Sequence, residues 1–253
     1  NCDFGFMGDD AINFHGEILP VFSVESPNTA TIMFPRKGYL QNVLIPGDKA
    51  QILESGSFAV ASEGVLESME SAGERTDIPK KDIVRFYPSR EKSTSEGAKM
   101  YFFRIKFKEN VKLSPGQWLE FPALNCPGFV VMNNFFHDNR ARGLRIMGSD
   151  GIIAGNTFER IGQSAISIGA EYNYWREAGW CRNVAVVLNT IKDCGIHSEA
   201  TYPGAYACGA ICVFTFREKG AKEIFKGHEN IIISSNTIEG NSSAGIHAYG
   251  VKG

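Results

Sequence analysis

The amino-acid sequence predicts an all-β fold: a right-handed parallel β-helix, or solenoid, with a small antiparallel β-barrel or sandwich domain inserted into it. The first observation is a motif that returns after 22 residues, Asn-Phe-Phe at 134–136 and Asn-Thr-Phe at 156–158. Asn-Thr-Ile then occurs at 189–191 and 236–238, after gaps of 33 and 47 residues that contain one 22-residue unit plus inserted residues. Self-similarity at such a period is typical of a solenoid.

The second observation is an apolar pair that follows each of these asparagines by ten and twelve residues. Alternating apolar residues predict β-strands, and no stretch of the chain has a convincing helical period. The pair Ile211/Val213 fits only when 12 residues before it are treated as an insertion. We interpret the asparagines as a hydrogen-bonded ladder between stacked coils rather than as catalytic residues. The pairs are Leu144/Ile146, Ile166/Ile168, Ile211/Val213 and Ile246/Ala248.

The same repeat can be traced back to the start of the chain. If Ala11 is placed opposite Ala165, Cys2 falls in the asparagine column and Phe4 falls opposite the later phenylalanines. The interval of 132 positions from Cys2 to Asn134 then contains one 22-residue unit and a long insertion. Because both ends of the chain fall within the repeat, we expect the solenoid to continue beyond them. We assign solenoid coils to 1–16 and 126–253, and the inserted domain to 17–125.

The inserted segment has a different pattern. From Tyr101 to Phe107, apolar positions alternate with residues that include Arg104 and lysines, which predicts a strand. Short apolar runs separated by Pro-Gly turns predict further strands, and together these favour a small antiparallel barrel or sandwich. The shorter candidates are Val43–Ile45, Gln51–Leu53 and Val84–Phe86.

Composition excludes several kinds of partner. The chain has 253 residues and a net charge of −2, so no basic field favours nucleic acid. It contains no apolar run of the roughly 18 residues that a membrane span requires, so we expect no membrane partner. Its six cysteines are too sparse for a disulfide scaffold. Oligomeric state is not predicted by these features.

The candidate catalytic residues are Asp9 and Asp10, at the turn that precedes the second strand of the first coil. Stacking of coils about 4.8 Å apart would bring Asp10 close to Arg142. Paired acids beside an arginine suit general acid–base chemistry, although Gly-Asp-Asp is also a favourable turn sequence. Asn13 and His15 follow on the outward face of the same strand, so we expect a polar row that binds sugar hydroxyls. Acids on neighbouring coils do not stack with the pair, which disfavours a calcium cage.

A loop between coils adds aromatic residues to this region. Residues 171–181 form an excursion that leaves from the same end of its coil as the large insertion. Aromatic rings with interspersed acids can stack on a sugar and bind its hydroxyls. We expect Tyr172 and Trp180 to pack the loop down, and a further excursion at 196–208 supplies Glu199 and Tyr202 as weaker candidates. The candidate binding residues of the loop are Glu171, Asn173, Tyr174, Trp175 and Glu177.

These motifs together resemble glycoside hydrolase family 110, whose members are exo-acting α-1,3-galactosidases. The resemblance covers nearly the whole chain in order. Gly-Asp-Asp-Ala-Ile-Asn-x-His-Gly leads into an inserted β domain with a Pro-Gly-Asp segment. Asn-Arg-Ala-Arg-Gly follows at 139–143, and then Asn-Tyr-Trp-x-Glu at 173–177.

The resemblance implies an inverting mechanism that uses two carboxyl groups and neither a metal nor an organic cofactor. It implies catalytic roles for Asp9 and Asp10, and a further catalytic aspartate on the preceding coil, upstream of residue 1. Arg140 and Arg142 belong to the matching arginine motif and are expected to bind the glycan substrate. We expect such a protein to be extracellular or periplasmic.

Two alternatives remain open at this stage. A polygalacturonase-like hydrolase of acidic polysaccharide would also use a Gly-Asp-Asp turn, and it would need a basic groove. The arginines at 140, 142, 145 and 160 offer candidates for that groove. A non-catalytic carbohydrate-binding β-helix, or a degenerate relative of the enzymes, would use the aromatic loop without turnover.

Overall fold

The computed structural model describes residues 1–196, 209–215 and 225–252, and it confirms the predicted fold class. Up to the end of the insertion its elements are β1 (Asp3–Gly5), β2 (Ile12–Phe14), β3 (Gly16–Glu17), β4 (Leu19–Ser26), β5 (Thr29–Phe34), α1 (Tyr39–Val43), β6 (Lys49–Leu53), β7 (Val60–Arg75), α2 (Lys80–Phe86), β8 (Met100–Phe107) and β9 (Trp118–Glu120), with short 3₁₀ turns at Pro88–Arg90 and Pro122–Leu124.

The strands that follow the insertion are β10 (Val130–Met132), β11 (Phe135–His137), β12 (Leu144–Ile146), β13 (Gly151–Ala154), β14 (Thr157–Glu159), β15 (Ile166–Ile168), β16 (Glu177–Ala178), β17 (Arg182–Val187), β18 (Thr190–Lys192), β19 (Gly209–Phe214), β20 (Glu229–Ser234), β21 (Thr237–Glu239) and β22 (Ala244–Tyr249).

Within the described residues, the solenoid strands form three parallel sheets. The first sheet has the order β1-β11-β14-β18-β21, the second β2-β12-β15-β19-β22 and the third β10-β13-β17-β20. Phe4 pairs in register with Phe136, and Phe136 with Phe158, and both ring pairs stack with centroids 4.8 Å apart. That distance equals the spacing of hydrogen-bonded strands, so the rings follow the backbone from coil to coil. The predicted first coil is therefore confirmed.

Sequence analysis missed the third sheet. Its strands place apolar residues outward as well as inward, for example Val130 and Ile152, which are 63% and 44% exposed. Val131 and Ile153 are the next residues of the same two strands, and they are buried in the solenoid core. Because both faces are apolar, the alternation that marks a half-buried strand is absent from this part of the sequence.

The asparagine column forms the expected ladder. The side-chain amide and the backbone N–H of Asn156 both donate to Oδ1 of Asn189, each over 3.0 Å. Asn134 donates in the same way to Asn156, and Asn189 to Asn236. Asn156 and Asn189 are buried, so these bonds satisfy polar groups that water does not reach.

Left-handed corners flank every strand of the ladder. The residue before each ladder asparagine, and the residue four positions after it, has a φ between 52° and 65°. Non-glycine residues rarely adopt this conformation, so the corners are held there by the hydrogen bonds of the stack. The residues are Asn133, Asp138, Gly155, Arg160, Leu188, Asp193, Ser235 and Gly240.

The insertion folds as a closed antiparallel barrel with the strand order β4-β5-β8-β7-β6-β9. The predicted strand at 101–107 corresponds to β8 and that at 51–53 to β6. The strand predictions at Val43–Ile45 and Val84–Phe86 were wrong, because these segments lie at the ends of helices α1 and α2. Each helix is too short to show a period in the sequence, and each is held by buried side chains: Leu40 in α1, and Ile83 and Phe86 in α2.

The barrel and the 171–181 loop meet beside the second sheet. β3 precedes the barrel and pairs in antiparallel fashion with β16 of the loop, so that Glu17 lies opposite Glu177. Gly16 is needed at this junction, since a Cβ atom there would lie 2.0 Å from the side chain of Asn125. Both excursions therefore leave from the same edge of the solenoid.

Replacement of Asn156 by alanine should destabilise the protein. It removes the acceptor of two donors on Asn134 and the amide that donates to Val131 O. Two unsatisfied donors cost about 1–3 kcal/mol each, so we expect a loss of about 3 kcal/mol in the free energy of unfolding, measured in urea. Asn13→Ala is the control, since Asn13 is exposed. Equal losses in the two variants would contradict a role for the ladder in stability.

Candidate functional site

The two candidate acids lie side by side but in different surroundings. Asp10 accepts two parallel hydrogen bonds from Arg142, 2.8 Å from Nε and 2.9 Å from Nη2. Its side chain is 7% exposed and that of Arg142 is 15% exposed. The predicted contact between adjacent coils is therefore confirmed, and it is a bidentate pair of the strong, orienting kind.

Asp9 points into solvent instead. Its side chain is 81% exposed, and Oδ1 lies 3.5 Å from Nη2 of Arg140. Nε of Arg140 donates to the carbonyl oxygen of Gly8, which holds the guanidinium over the turn. The turn thus presents one carboxylate that is fixed by an arginine and one that is open to an incoming ligand.

The polar row that begins with Asn13 on β2 extends across the neighbouring strands β12 and β15 of the second sheet. Asn13 pairs in register with Arg145, and Arg145 with Ser167. Asn13 is exposed, whereas Arg145 is 2% exposed and its guanidinium lies 4.9 Å from the ring of Phe214. Nη1 of Arg145 donates to Ser167 Oγ over 3.2 Å.

Burial of Arg145 has an electrostatic consequence. Desolvation lowers the pKa of Arg145 to about 10, and the nearby charge of Arg142 acts in the same direction. Glu171, Asp10 and Glu177 oppose that shift, so Arg145 lies within reach of three site carboxylates. Sequence analysis named Arg145 only as a candidate for the basic groove of the polygalacturonase-like alternative, and its place between the inward Leu144 and Ile146 was the signal for an outward side chain in the row.

His15 connects the row to the loop. Its Nδ1 lies 2.9 Å from the carbonyl oxygen of Gly16, which can only accept, so this nitrogen carries the proton. Nε2 lies 3.9 Å from Oε1 of Glu177, which the pairing of β3 with β16 brings to this position. The structure therefore brings His15 to Glu177, as it brings Asp10 to Arg142, although the two members of each pair are far apart in sequence.

The remaining loop candidates differ in accessibility. Tyr174 and Trp175 are 48% and 54% exposed, and their rings meet edge to face with centroids 5.0 Å apart. Asn173 is half-buried. Glu171 is buried, and its backbone exchanges hydrogen bonds with that of Glu177. The two aromatic rings are thus the loop side chains most open to a ligand.

Buried contacts anchor this loop to the barrel. The hydroxyl of Tyr172 donates to Glu120, which also accepts from Nδ2 of Asn125 over 2.8 Å. Nε1 of Trp180 donates to the carbonyl oxygen of Phe58 over 3.2 Å. Tyr172 and Trp180 therefore pack the loop down, as expected.

A cleft of about 560 Å³ lies between the loop and the barrel. Trp175 and Glu177 line it on one side, and Arg36, Tyr87 and Arg90 on the other. The barrel residues were missed by sequence analysis, because no repeat or spacing relates positions in the insertion to positions in the solenoid.

Other features of the described residues carry less information. Glu199 and Tyr202, the weaker candidates of the third excursion, lie outside the described residues. In 1–196, 209–215 and 225–252, no group of three or more His, Cys, Asp or Glu side chains is arranged to hold a metal ion. No helix in these ranges has the length and apolar character of a membrane span.

Comparison with known proteins agrees with this architecture. Residues 122–253, more than half of the chain, match the model described as right handed beta helix region. The chain belongs to the right-handed β-helix family. This assignment also settles the handedness of the stack, as the sequence predicted.

Curated relatives of this β-helix protein are named Alpha-1,3-galactosidase B. The protein from Phocaeicola vulgatus is 30% identical over 189 residues, and that from Parabacteroides distasonis is 28% identical over 189 residues; each alignment covers 72% of this chain and 28% of the relative. The protein from Akkermansia muciniphila is 26% identical over 243 residues, which are 93% of this chain and 26% of the relative. These matches confirm the resemblance found in the motifs. The chain spans about a quarter of the length of these relatives.

The two arginine–aspartate pairs should differ in their effect on stability. Arg142→Ala leaves the carboxylate of Asp10 without its bidentate partner at a side-chain exposure of 7%, and should lower the free energy of unfolding by about 3 kcal/mol. Arg140→Ala removes a partner from an exposed carboxylate, so we expect a loss below about 1 kcal/mol. Urea denaturation measures both values, and a larger loss for Arg140→Ala would refute this reading of the site.

Glu120 should make stability depend on pH. Burial raises its pKa to about 6 from an ordinary 4.5, against the opposing hydrogen bonds from Tyr172 and Asn125. Because the pKa of Glu120 is higher in the folded protein than in the unfolded chain, the folded protein binds more protons than the unfolded chain between pH 4.5 and about 6. The contribution of Glu120 to the free energy of unfolding therefore falls as pH rises through this range. Relative to Glu120→Gln, the free energy of unfolding of the wild-type protein should fall by about 2 kcal/mol between these pH values.

Unfolding free energies of both proteins at a series of pH values between 4 and 7.5 measure this difference. Tyr172→Phe removes a hydrogen bond that lowers the pKa of Glu120, and should therefore move the midpoint of the loss to higher pH. A wild-type minus Glu120→Gln difference that stays constant over the range would show that Glu120 does not titrate there.

Proposed function

We propose that this chain forms part of a glycoside hydrolase that releases terminal α-1,3-linked galactose from glycans with inversion of configuration. The observation that carries the proposal is the Asp9–Asp10 turn, where adjacent carboxylates differ in exposure and in arginine contacts. The names of the curated relatives support the same activity. Bacterial relatives of this kind agree with an extracellular or periplasmic location.

The proposed chemistry is a single displacement at the anomeric carbon. Water attacks this carbon as the bond to the leaving oxygen breaks; a carboxylate takes the proton of the water, and a carboxylic acid protonates the leaving oxygen. Both oxygens of Asp10 accept hydrogen bonds from Arg142, so Asp10 suits the task of accepting or orienting rather than donating. Asp9 is open to water and substrate. The resemblance implies that a further aspartate on the preceding coil completes the set.

The polar row and the loop would bind the sugar. Exposed Asn13 and half-buried His15 follow the acids along the same strand segment, and the rings of Tyr174 and Trp175 offer stacking surfaces for a pyranose. Several hydroxyl contacts plus a ring contact are the usual basis of specificity in such sites. The residues that we assign to substrate binding are Asn13, His15, Arg140, Arg142, Glu171, Asn173, Tyr174, Trp175 and Glu177.

The alternatives are supported to different degrees. A polygalacturonase-like site would need an open basic groove. However, Arg145 is buried, and Arg160 is paired with Asp138 and Glu159. A non-catalytic glycan-binding function is favoured by one observation, the exposed Tyr174–Trp175 pair, which does not require the acids.

The test uses the full-length protein and a galactosyl-α-1,3-galactose disaccharide. Proton NMR should show β-galactose as the first product, because inversion converts the α-linkage. Asp9→Asn and Asp10→Asn should each lower kcat by about 10²–10⁴-fold, the usual contribution of a carboxyl group in acid–base catalysis. Asp150→Asn is the matched control, since it changes an acid whose side chain accepts a hydrogen bond from Asn183 in a neighbouring turn.

Three outcomes separate the candidate functions. Full activity in both aspartate variants would overturn the assignment of the acids. First release of α-galactose would overturn the inverting mechanism. Binding of the disaccharide without turnover in the wild-type protein would favour the non-catalytic alternative.

A further inference from the structure

The cleft between the loop and the barrel has the composition of a second sugar subsite. Its floor and walls include the half-exposed indole of Trp175, the phenol of Tyr87 and the charged groups of Arg36, Arg90 and Glu177. Its volume of about 560 Å³ lies within the range of small-ligand sites. Glu177 lines this cleft and also faces His15, so the cleft adjoins the end of the polar row at which His15 lies.

The walls of the cleft are held in place by buried contacts. Nε of Arg176 donates to the carbonyl oxygen of Phe86 over 2.8 Å, and its guanidinium lies 4.3 Å from the ring of Trp118. The backbone N–H of Ser89 donates to the carbonyl oxygen of Tyr174 over 3.3 Å. The loop that carries Trp175 is thus fixed to the barrel segment that carries Arg90, and the two faces keep their separation.

Charge within the cleft is unevenly matched. Arg36 forms an ion pair with Glu17, so these two charges balance each other. Arg90 is half-buried, and within the described residues its guanidinium has no hydrogen bond or ion pair. A guanidinium in that position is a ready partner for a carboxylate or a sulfate, since it presents two parallel N–H groups.

Trp175 supplies the second element of recognition. Its indole lines the cleft and is 54% exposed, although its ring also meets that of Tyr174 edge to face. A pyranose ring packs on such a surface through its apolar C–H groups. An aromatic platform and an unpaired arginine in one cleft favour a ligand that is both a sugar and an anion.

We propose that this cleft binds an anionic sugar unit next to the terminal galactose, with Trp175 stacked on its ring and Arg90 paired with its carboxylate or sulfate group. The position of this unit relative to the cleaved bond rests on the proposed function, whereas the binding itself does not. The inserted barrel is then a determinant of substrate specificity, because it supplies the arginine.

The test is a comparison of affinities by isothermal titration calorimetry, using the full-length protein with Asp9→Asn to prevent turnover. The probes are galactosyl-α-1,3-galactose, the same disaccharide with a sulfate on the second sugar, and galactosyl-α-1,3-galacturonate. We expect at least one anionic probe to bind about tenfold more tightly than the neutral one, an effect of the size of one charge-assisted contact. The preferred probe identifies which anionic group the cleft accepts.

Variants on the two walls assign the effect to named residues. Arg90→Gln should abolish the preference for the anionic probe, and Arg90→Lys should retain part of it. Trp175→Ala should weaken all three probes. Arg104→Gln is the control, since Arg104 pairs with Glu25 on the exposed face of the barrel. Circular dichroism of each variant confirms that it folds.

The outcomes distinguish this proposal from the proposed function. Equal affinities for all three probes, or an anionic preference that survives Arg90→Gln, would overturn the subsite whether or not the wild-type protein releases galactose. An anionic preference that depends on Arg90, in a protein that releases no galactose, would support the subsite and overturn the hydrolase assignment alone.

Discussion

The ladder of buried asparagines is the interaction on which the rest of this structure depends. Oδ1 of Asn156, Asn189 and Asn236 each accepts two hydrogen bonds from the preceding coil, and Oδ1 of Asn134 accepts one from the backbone N–H of Cys2. Asn156 and Asn189 are buried, so water does not reach their bonds. A shift of one residue between coils would leave those donors unpaired, and it would also turn the stacked phenylalanines outward. The left-handed corners on either side of each ladder strand fix the direction in which the chain leaves. Register is therefore determined twice, by polar and by apolar contacts.

A register fixed in this way tolerates very large insertions. The backbone N–H of Cys2 donates to Oδ1 of Asn134, 132 positions later in the chain, and the barrel lies within that interval. The entropic cost of closing a loop grows only slowly with its length, so a folded insertion disturbs the stack little. The barrel and the 171–181 loop leave from one edge of the solenoid and pair with each other there. A solenoid surface is nearly flat, and these two excursions supply the concavity that a ligand site needs.

Stacking explains which parts of the site were predictable from sequence. Once the repeat is aligned, residues at the same position of successive coils are expected to lie next to each other. The contact of Asp10 with Arg142 and the pairing of Phe4 with Phe136 were predicted for this reason. The same argument does not apply to the insertion, because its residues do not belong to the repeat and have no equivalent position in another coil. Arg90 and its place opposite Trp175 depend on barrel closure and on buried anchors such as Glu120, neither of which leaves a periodic pattern. The short helices and the two-sided apolar strands of the third sheet were missed for the related reason that they lack a detectable period.

Burial of Arg145 alters the electrostatics of the candidate site. On a bare solenoid this outward side chain would be solvated, yet here it is 2% exposed and in electrostatic contact with Asp10, Glu171 and Glu177. Removal of water raises the cost of each isolated charge and strengthens the attraction between opposite ones. The carboxylates offset the desolvation of Arg145, and Arg145 in turn offsets the repulsion among the carboxylates. Two of these carboxylates, Glu171 and Glu177, belong to the 171–181 loop, which links the fold of that loop to the electrostatics of the candidate site.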